Sequence, residues 1–124
     1  ILSTEANSVV YARAKKLDIP CLQSIGNKAK VLRDFCKENK YDLESVGYVG
    51  NDINDLEAMK LVGFSFCPTD AHQDINNIST HVLKTKGGGG VVRELFDFLQ
   101  KTTILYADLQ LRYLLYLLET YFPI

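Results

Sequence analysis

The 124-residue chain has no tryptophan, one methionine (Met59), two histidines (His72 and His81) and three cysteines (Cys21, Cys36 and Cys67). Cysteines odd in number and unevenly spaced suit neither a disulfide framework nor a zinc CxxC pair, so buried free thiols in the reducing cytoplasm are expected. The histidines lack partners at metal or triad spacing; His72 is expected at a site rim and His81 in a structural position. Neither sign of charge dominates. Lys and Arg total 14 against 15 Asp and Glu, which leaves no basic surplus for a nucleic-acid backbone and no acidic tail. Nor is there an uninterrupted membrane-length run: Asp108, Arg112 and Glu119 break the apolar stretch from Ile104 to Phe122. Leu111, Leu114, Leu115 and Leu118 fall on one helical stripe there, so residues 102–124 are expected to form an amphipathic tail that packs on the domain or on another subunit. No Asp-x-Asp occurs anywhere, and the chain begins at Ile1 without a signal-like segment. It is read as a piece of a longer protein.

What is present is an ordinary globular composition, 47% hydrophobic and 23% charged, enough for one domain. Ile1 and Leu2 read as the end of a buried strand. Ser3 and Thr4 are expected to cap a helix running to Leu17, with Val10, Ala14 and Leu17 on one face. Pro20 ends that element; Cys21 to Ser24 reads as a short strand, and Lys28 to Asn39 as a helix with the stripe Val31, Leu32, Phe35, Cys36. Tyr41 to Ser45 is a loop. Strands follow at Val46–Gly50 and Gly63–Cys67, separated by a helix from Asp55 to Leu61. A helical turn (Asp74–Ile78), a strand (His81–Lys84) and a helix (Val91–Gln100) repeat the pattern. Short strands alternating with helices predict an α/β domain with a parallel sheet covered on both faces, which binds ligands outside the carboxyl ends of its strands.

At those ends sit Ser3 and Thr4, Asn27 and Lys28, and the cluster Gly50-Asn51-Asp52-Ile53-Asn54-Asp55. Hard oxygen side chains just after a strand suit a divalent cation that holds a phosphate. Taken singly, each is equally an N-cap or a solvated turn. In this order, Leu2-Ser3-Thr4-Glu5, Gly26-Asn27-Lys28 and Gly50-Asn51-Asp52-Ile53-Asn54-Asp55 resemble motifs two, three and four of the haloacid dehalogenase superfamily of phosphatases. Val46–Glu57, Asp70-Ala71-His72 and Gly89-Gly90-Val91-Val92-Arg93-Glu94 are similar to the capless phosphatases of octulosonate and nonulosonate 8- and 9-phosphates, above all to members joined to the synthetases that activate sialic acids with CMP. The resemblance covers about residues 1–101.

The resemblance implies a three-layer, Rossmann-like fold lacking its first, central strand, which carries the family's nucleophilic and acid/base aspartates. It implies Mg2+ held by Asn51, Asp52 and Asp55, catalytic roles for Lys28 (charge neutralisation) and Ser3 (a hydrogen bond to a phosphoryl oxygen), and substrate contacts from Thr4, Glu5 and Arg93. A small sugar-acid phosphate is the expected substrate and a homo-oligomer, a tetramer in the family, the expected assembly; neither nucleic acid nor membrane is an expected partner. Two positions depart from the pattern. Asn51 replaces an acidic metal ligand, and Glu5 stands where octulosonate phosphatases carry arginine. Both keep open a rival reading, a non-catalytic, oligomer-forming domain of a CMP-sialic acid synthetase, and a third, a phosphate-binding module without hydrolysis. The Gly87–Gly90 run lacks the Lys-Ser/Thr of a P-loop and is expected to be a loop that approaches the site mouth or a neighbouring subunit.

Overall fold

The computed structural model describes residues 1–6 and 8–105. Its helices are α1 (Ser8–Lys16), α2 (Lys28–Glu38), α3 (Leu56–Met59), α4 (Gln73–Ile78) and α5 (Val91–Leu105); its strands are β1 (Gly47–Val49), β2 (Phe64–Cys67) and β3 (His81–Val82). The strands pair in parallel in the order β1-β2-β3, with Val49 opposite Phe66 and Cys67 opposite Val82. Helices α3 and α4 provide the crossovers that parallel neighbours require.

Alternation along β2 builds the layers, because successive side chains of a strand point to opposite faces. Phe66 packs with Leu95 and Leu99 of α5, supported by Phe64 and Phe98. Cys67 faces the other way, against Met59 of α3 and Ile75 of α4. Farther along that face, Ala29, Leu32 and Cys36 of α2 close over Ala58. A sheet between α5 on one side and α2, α3 and α4 on the other is the expected three-layer α/β arrangement. Gly63 permits the entry into β2: a Cβ there would lie 1.7 Å from the Glu44 carbonyl oxygen.

Several elements are shorter or shifted, each for a visible reason. The first helix starts at Ser8 and not at Ser3 or Thr4. Residues 3–5 are held in a loop because the Ser3 N–H donates to Leu22 O at 2.9 Å, while Ser3 O and Glu5 O accept from Ile25 and Ser24. The expected strand from Cys21 to Ser24 contracts to one parallel bridge, Leu2 with Leu22. β3 stops at Val82 because the Glu94 carboxylate takes the N–H groups of Lys84 and Thr85 at 2.8–2.9 Å. Helix α5 runs past Gln100 to Leu105; the rest of the expected tail lies outside the described residues. All three cysteines are free, Cys36 and Cys67 buried and Cys21 only partly so.

Among the described residues, β1 has a neighbour on one side only. Beyond its other edge lies a cleft of about 560 Å3, walled by Leu2 and Leu22 on one side and residues 46–49 on the other, with Lys28, Leu32 and Phe35 of α2 as its floor. Two parallel β fragments thus flank a gap.

Candidate functional site

The polar residues collect where β1 ends. The chain leaves Val49 through Gly50, where no side chain fits: a Cβ would lie 2.5 Å from Met59 Sδ and 2.7 Å from Asp55 Cβ. The next residues coil into a 3-10 turn (Ile53–Asp55), capped by Asp52, whose Oδ1 accepts from the Ile53 N–H at 2.7 Å. Asp55 turns its carboxylate back beneath the loop. Its Oδ2 accepts from the N–H groups of Asn51 (3.0 Å) and Asp52 (3.3 Å), so one buried side chain sets the course of the backbone.

Oδ1 of the same carboxylate faces the cleft and receives two further donors, the Tyr48 hydroxyl and the Lys28 ammonium, both at 2.8 Å. Lys28 Nζ also lies 3.4 Å from Asn54 Oδ1. Asp55 is 4% exposed, and burial by itself would raise its pKa; Lys28, the Asn51 N–H and Tyr48 outweigh that and hold it below the usual aspartate range. Burial first, then the adjacent Asp55, pushes the Tyr48 phenol far upward, so it stays a donor. A carboxylate offers about four lone-pair positions, and four protein donors meet Asp55 here.

Ser3 follows the Leu2–Leu22 bridge and so comes next to the opposite wall of the cleft without lining it. Its hydroxyl accepts from the Glu5 N–H at 3.1 Å, and the backbone bonds of residues 3 and 5 to Ser24 and Ile25 stitch this turn to the loop that launches α2. Ser24 takes the left-handed conformation there (φ 55°). Asn27 then caps α2 by accepting from Lys30 N at 2.9 Å, which places Lys28 at the helix start, where it lines the cleft. Thr4 and Glu5 are exposed. Lys28, Asn51 and Asp55 thus line one cleft, with Ser3 next to its wall and Asp52 exposed at its rim.

Arg93 is not brought into this group; it lies exposed on α5, with Nε 3.4 Å from Asp97 Oδ1. The glycine run reaches the site only indirectly, since the Gly87 N–H donates to Asp70 Oδ1 and, two residues on, the His72 N–H donates to Asn51 O at 2.9 Å. His72 therefore does border the site loop, while His81 stacks on Phe98 at 4.3 Å. Tyr48 was not a sequence candidate. A phenol two residues before Gly50, on a strand otherwise apolar, was the available signal.

Among the described residues of this loop, the Asn51 amide oxygen and the exposed Asp52 carboxylate keep lone pairs to offer, hard donors of the kind Mg2+ or Ca2+ accepts. No three of His, Cys, Asp and Glu converge among the described residues. The donors fit such a cation in kind and would supply part of its shell; an octahedral ion would need the remainder from water, phosphate or other protein groups.

Residues 5–95 match the model of the haloacid dehalogenase-like hydrolases. The chain is 33% identical over 100 residues, 80% of its length and 53% of the other's, to the 3-deoxy-D-manno-octulosonate 8-phosphate phosphatase of Escherichia coli strain K12. It is 27% identical over 92 residues, 74% of this chain and 21% of the other, to N-acylneuraminate cytidylyltransferase A of Danio rerio. Among solved structures, the octulosonate phosphatase of Moraxella catarrhalis, in complex with magnesium, phosphate and KDO, superimposes with a TM-score of 0.71 at 28% identity, over 77% of this chain and 57% of that one. The chain spans about half the length, or less, of the curated relatives it matches.

Proposed function

Because the chain belongs to the haloacid dehalogenase-like hydrolase family, we propose that it is the C-terminal portion of a magnesium-dependent phosphatase of 2-keto-3-deoxy sugar-acid phosphates, with octulosonate or nonulosonate phosphomonoesters as substrates. One observation carries the reading: an ammonium, Lys28, held at 2.8 Å by a buried carboxylate, beside hard oxygen donors at the carboxyl end of a parallel strand. Phosphoryl transfer gains mostly from positioning and charge stabilisation, and these are the groups that supply them.

In this reading Lys28 neutralises the phosphoryl group, and the hydroxyls of Ser3 and Thr4 donate to its oxygens. Asn51 and Asp52 hold Mg2+, which when bound draws off phosphoryl negative charge. Asp55, expected from the sequence to share the cation, is engaged by four protein donors and serves to hold Lys28 and the loop in place. Glu5 faces the distal end of the substrate, whereas Arg93 would reach an anion only by leaving Asp97. The nucleophile comes from an extended segment outside the described residues, seated in the cleft beside β1. Such a segment would pair with both β fragments and deliver its carboxyl end to Lys28. The parent protein is a cytoplasmic homo-oligomer in this account.

The test is phosphate release by the full-length protein from a panel of sugar-acid phosphates, with and without Mg2+ and with Asp52→Ala as control. Turnover that needs Mg2+ and disappears in the variant is expected. A folded, oligomeric protein without turnover would overturn the reading in favour of a second one, a non-catalytic, oligomer-forming domain of a CMP-sialic acid synthetase. The likeness to the Danio rerio cytidylyltransferase and the uncharged Asn51 favour that alternative.

A further inference from the structure

Two donors converge on a single oxygen in this site. Tyr48 OH and Lys28 Nζ both lie 2.8 Å from Asp55 Oδ1, and both side chains line the cleft. A carboxylate oxygen receives donors along two lone-pair directions in its plane, so the donor that fills one of them dictates the approach of the other. The phenol is the better anchored. It sits on a two-torsion aromatic side chain, its backbone pairs with Ser65 in the sheet, and its ring packs both with the α2 cluster and with Met59, Cys67 and Ile75. Lys28 reaches the same oxygen on four flexible methylenes.

We propose that Tyr48 is a positioning residue, whose hydroxyl occupies one lone pair of Asp55 Oδ1 and so fixes the direction in which the Lys28 ammonium presents its free N–H. Of the three ammonium donors, one goes to Asp55 and a second points to Asn54 Oδ1 at 3.4 Å. The third is left for an anion in the cleft. Without the phenol hydroxyl, Nζ is drawn into the vacated lone-pair direction, away from Asn54, and the third N–H turns with it. The other oxygen cannot compensate, because Oδ2 is held by the N–H groups of Asn51 and Asp52. What the aimed N–H acts on rests on the phosphatase reading; the aiming itself does not.

Tyr48→Phe keeps the ring in both packing clusters and removes only the hydroxyl. Crystal structures of the full-length protein and of this variant would show the Lys28 amine displaced toward the missing hydroxyl and separated from Asn54, with α2 and β1 in place. An amine that stays between Asp55 Oδ1 and Asn54 Oδ1 would overturn the proposal and leave Tyr48 as core packing alone. If the full-length protein hydrolyses a sugar-acid phosphate, kcat falls roughly tenfold in the variant with KM little changed, as for a misdirected donor to a charged group. An unchanged kcat, or a loss confined to KM, also counts against the assignment. An inactive parent protein in which the amine nevertheless moves would defeat the phosphatase reading and leave the positioning role standing.

Discussion

Truncation of Asp55 is the perturbation whose cost follows most directly from the geometry. Asp55→Ala removes a carboxylate that is 4% exposed and accepts four hydrogen bonds, and it strands an ammonium whose side chain is 10% exposed. Breaking a buried ion pair by deleting one partner costs about 3–5 kcal/mol, mostly because the surviving charge is left uncompensated. Here the lower end applies, since the N–H groups of the exposed Asn51 and Asp52 can turn toward water. A loss of about 3 kcal/mol is expected, a large part of the 5–15 kcal/mol typical of a domain. The assay is urea unfolding of the full-length protein followed by circular dichroism, comparing midpoints at a common slope. Asp52→Ala is the yardstick, because it removes an exposed carboxylate that caps the turn through the N–H groups of Ile53 and Asp55 and should cost about 1 kcal/mol. The double variant Lys28→Met/Asp55→Leu, which leaves no orphaned charge, should be less destabilised than Asp55→Ala alone. An Asp55→Ala variant no less stable than Asp52→Ala would refute the view that this carboxylate organises the site.

Three other outcomes are expected. Gly50→Ala forces a methyl group against Met59 and Asp55 and should cost about 1–3 kcal/mol, read as a lowered melting temperature. Asn51→Asp adds a negative charge to the proposed cation site, so Mg2+ affinity measured calorimetrically on the full-length protein should rise roughly tenfold; no change would place the cation elsewhere. Glu94 would have its pKa raised by burial, but the N–H groups of Lys84 and Thr85 prevail and lower it below the ordinary 4.5. Its contribution to stability is therefore fully present above that ordinary value and is lost as pH falls through the lower folded one. Urea midpoints of wild type and Glu94→Gln should differ at neutral pH and converge in acid, and a gap constant across that range would remove the carboxylate from the account.

The amino-acid sequence by itself determined the alternation of strands and helices, the layers they build and the places where polar residues gather. These are local properties: apolar periodicity marks α2 and β2, Asn27 caps a helix within its own first turn, and Asn51–Asp55 form a capped turn among themselves. Tertiary structure decided what those residues do to one another. Lys28 and Asp55 are 27 residues apart, and only the packing of α2 against the end of β1 makes them a 2.8 Å pair. Nothing local in the sequence reveals that Tyr48 and Lys28 both donate to the outer oxygen of Asp55. Likewise β3 is cut short by Glu94, ten residues ahead of Lys84, and Ser3 is kept out of a helix by Leu22 and Ile25. A hydrogen bond between distant segments leaves no periodic trace in the chain, yet at a buried oxygen it outweighs local propensity, because an unpaired polar group there costs more than a helix cap or a residue of strand contributes.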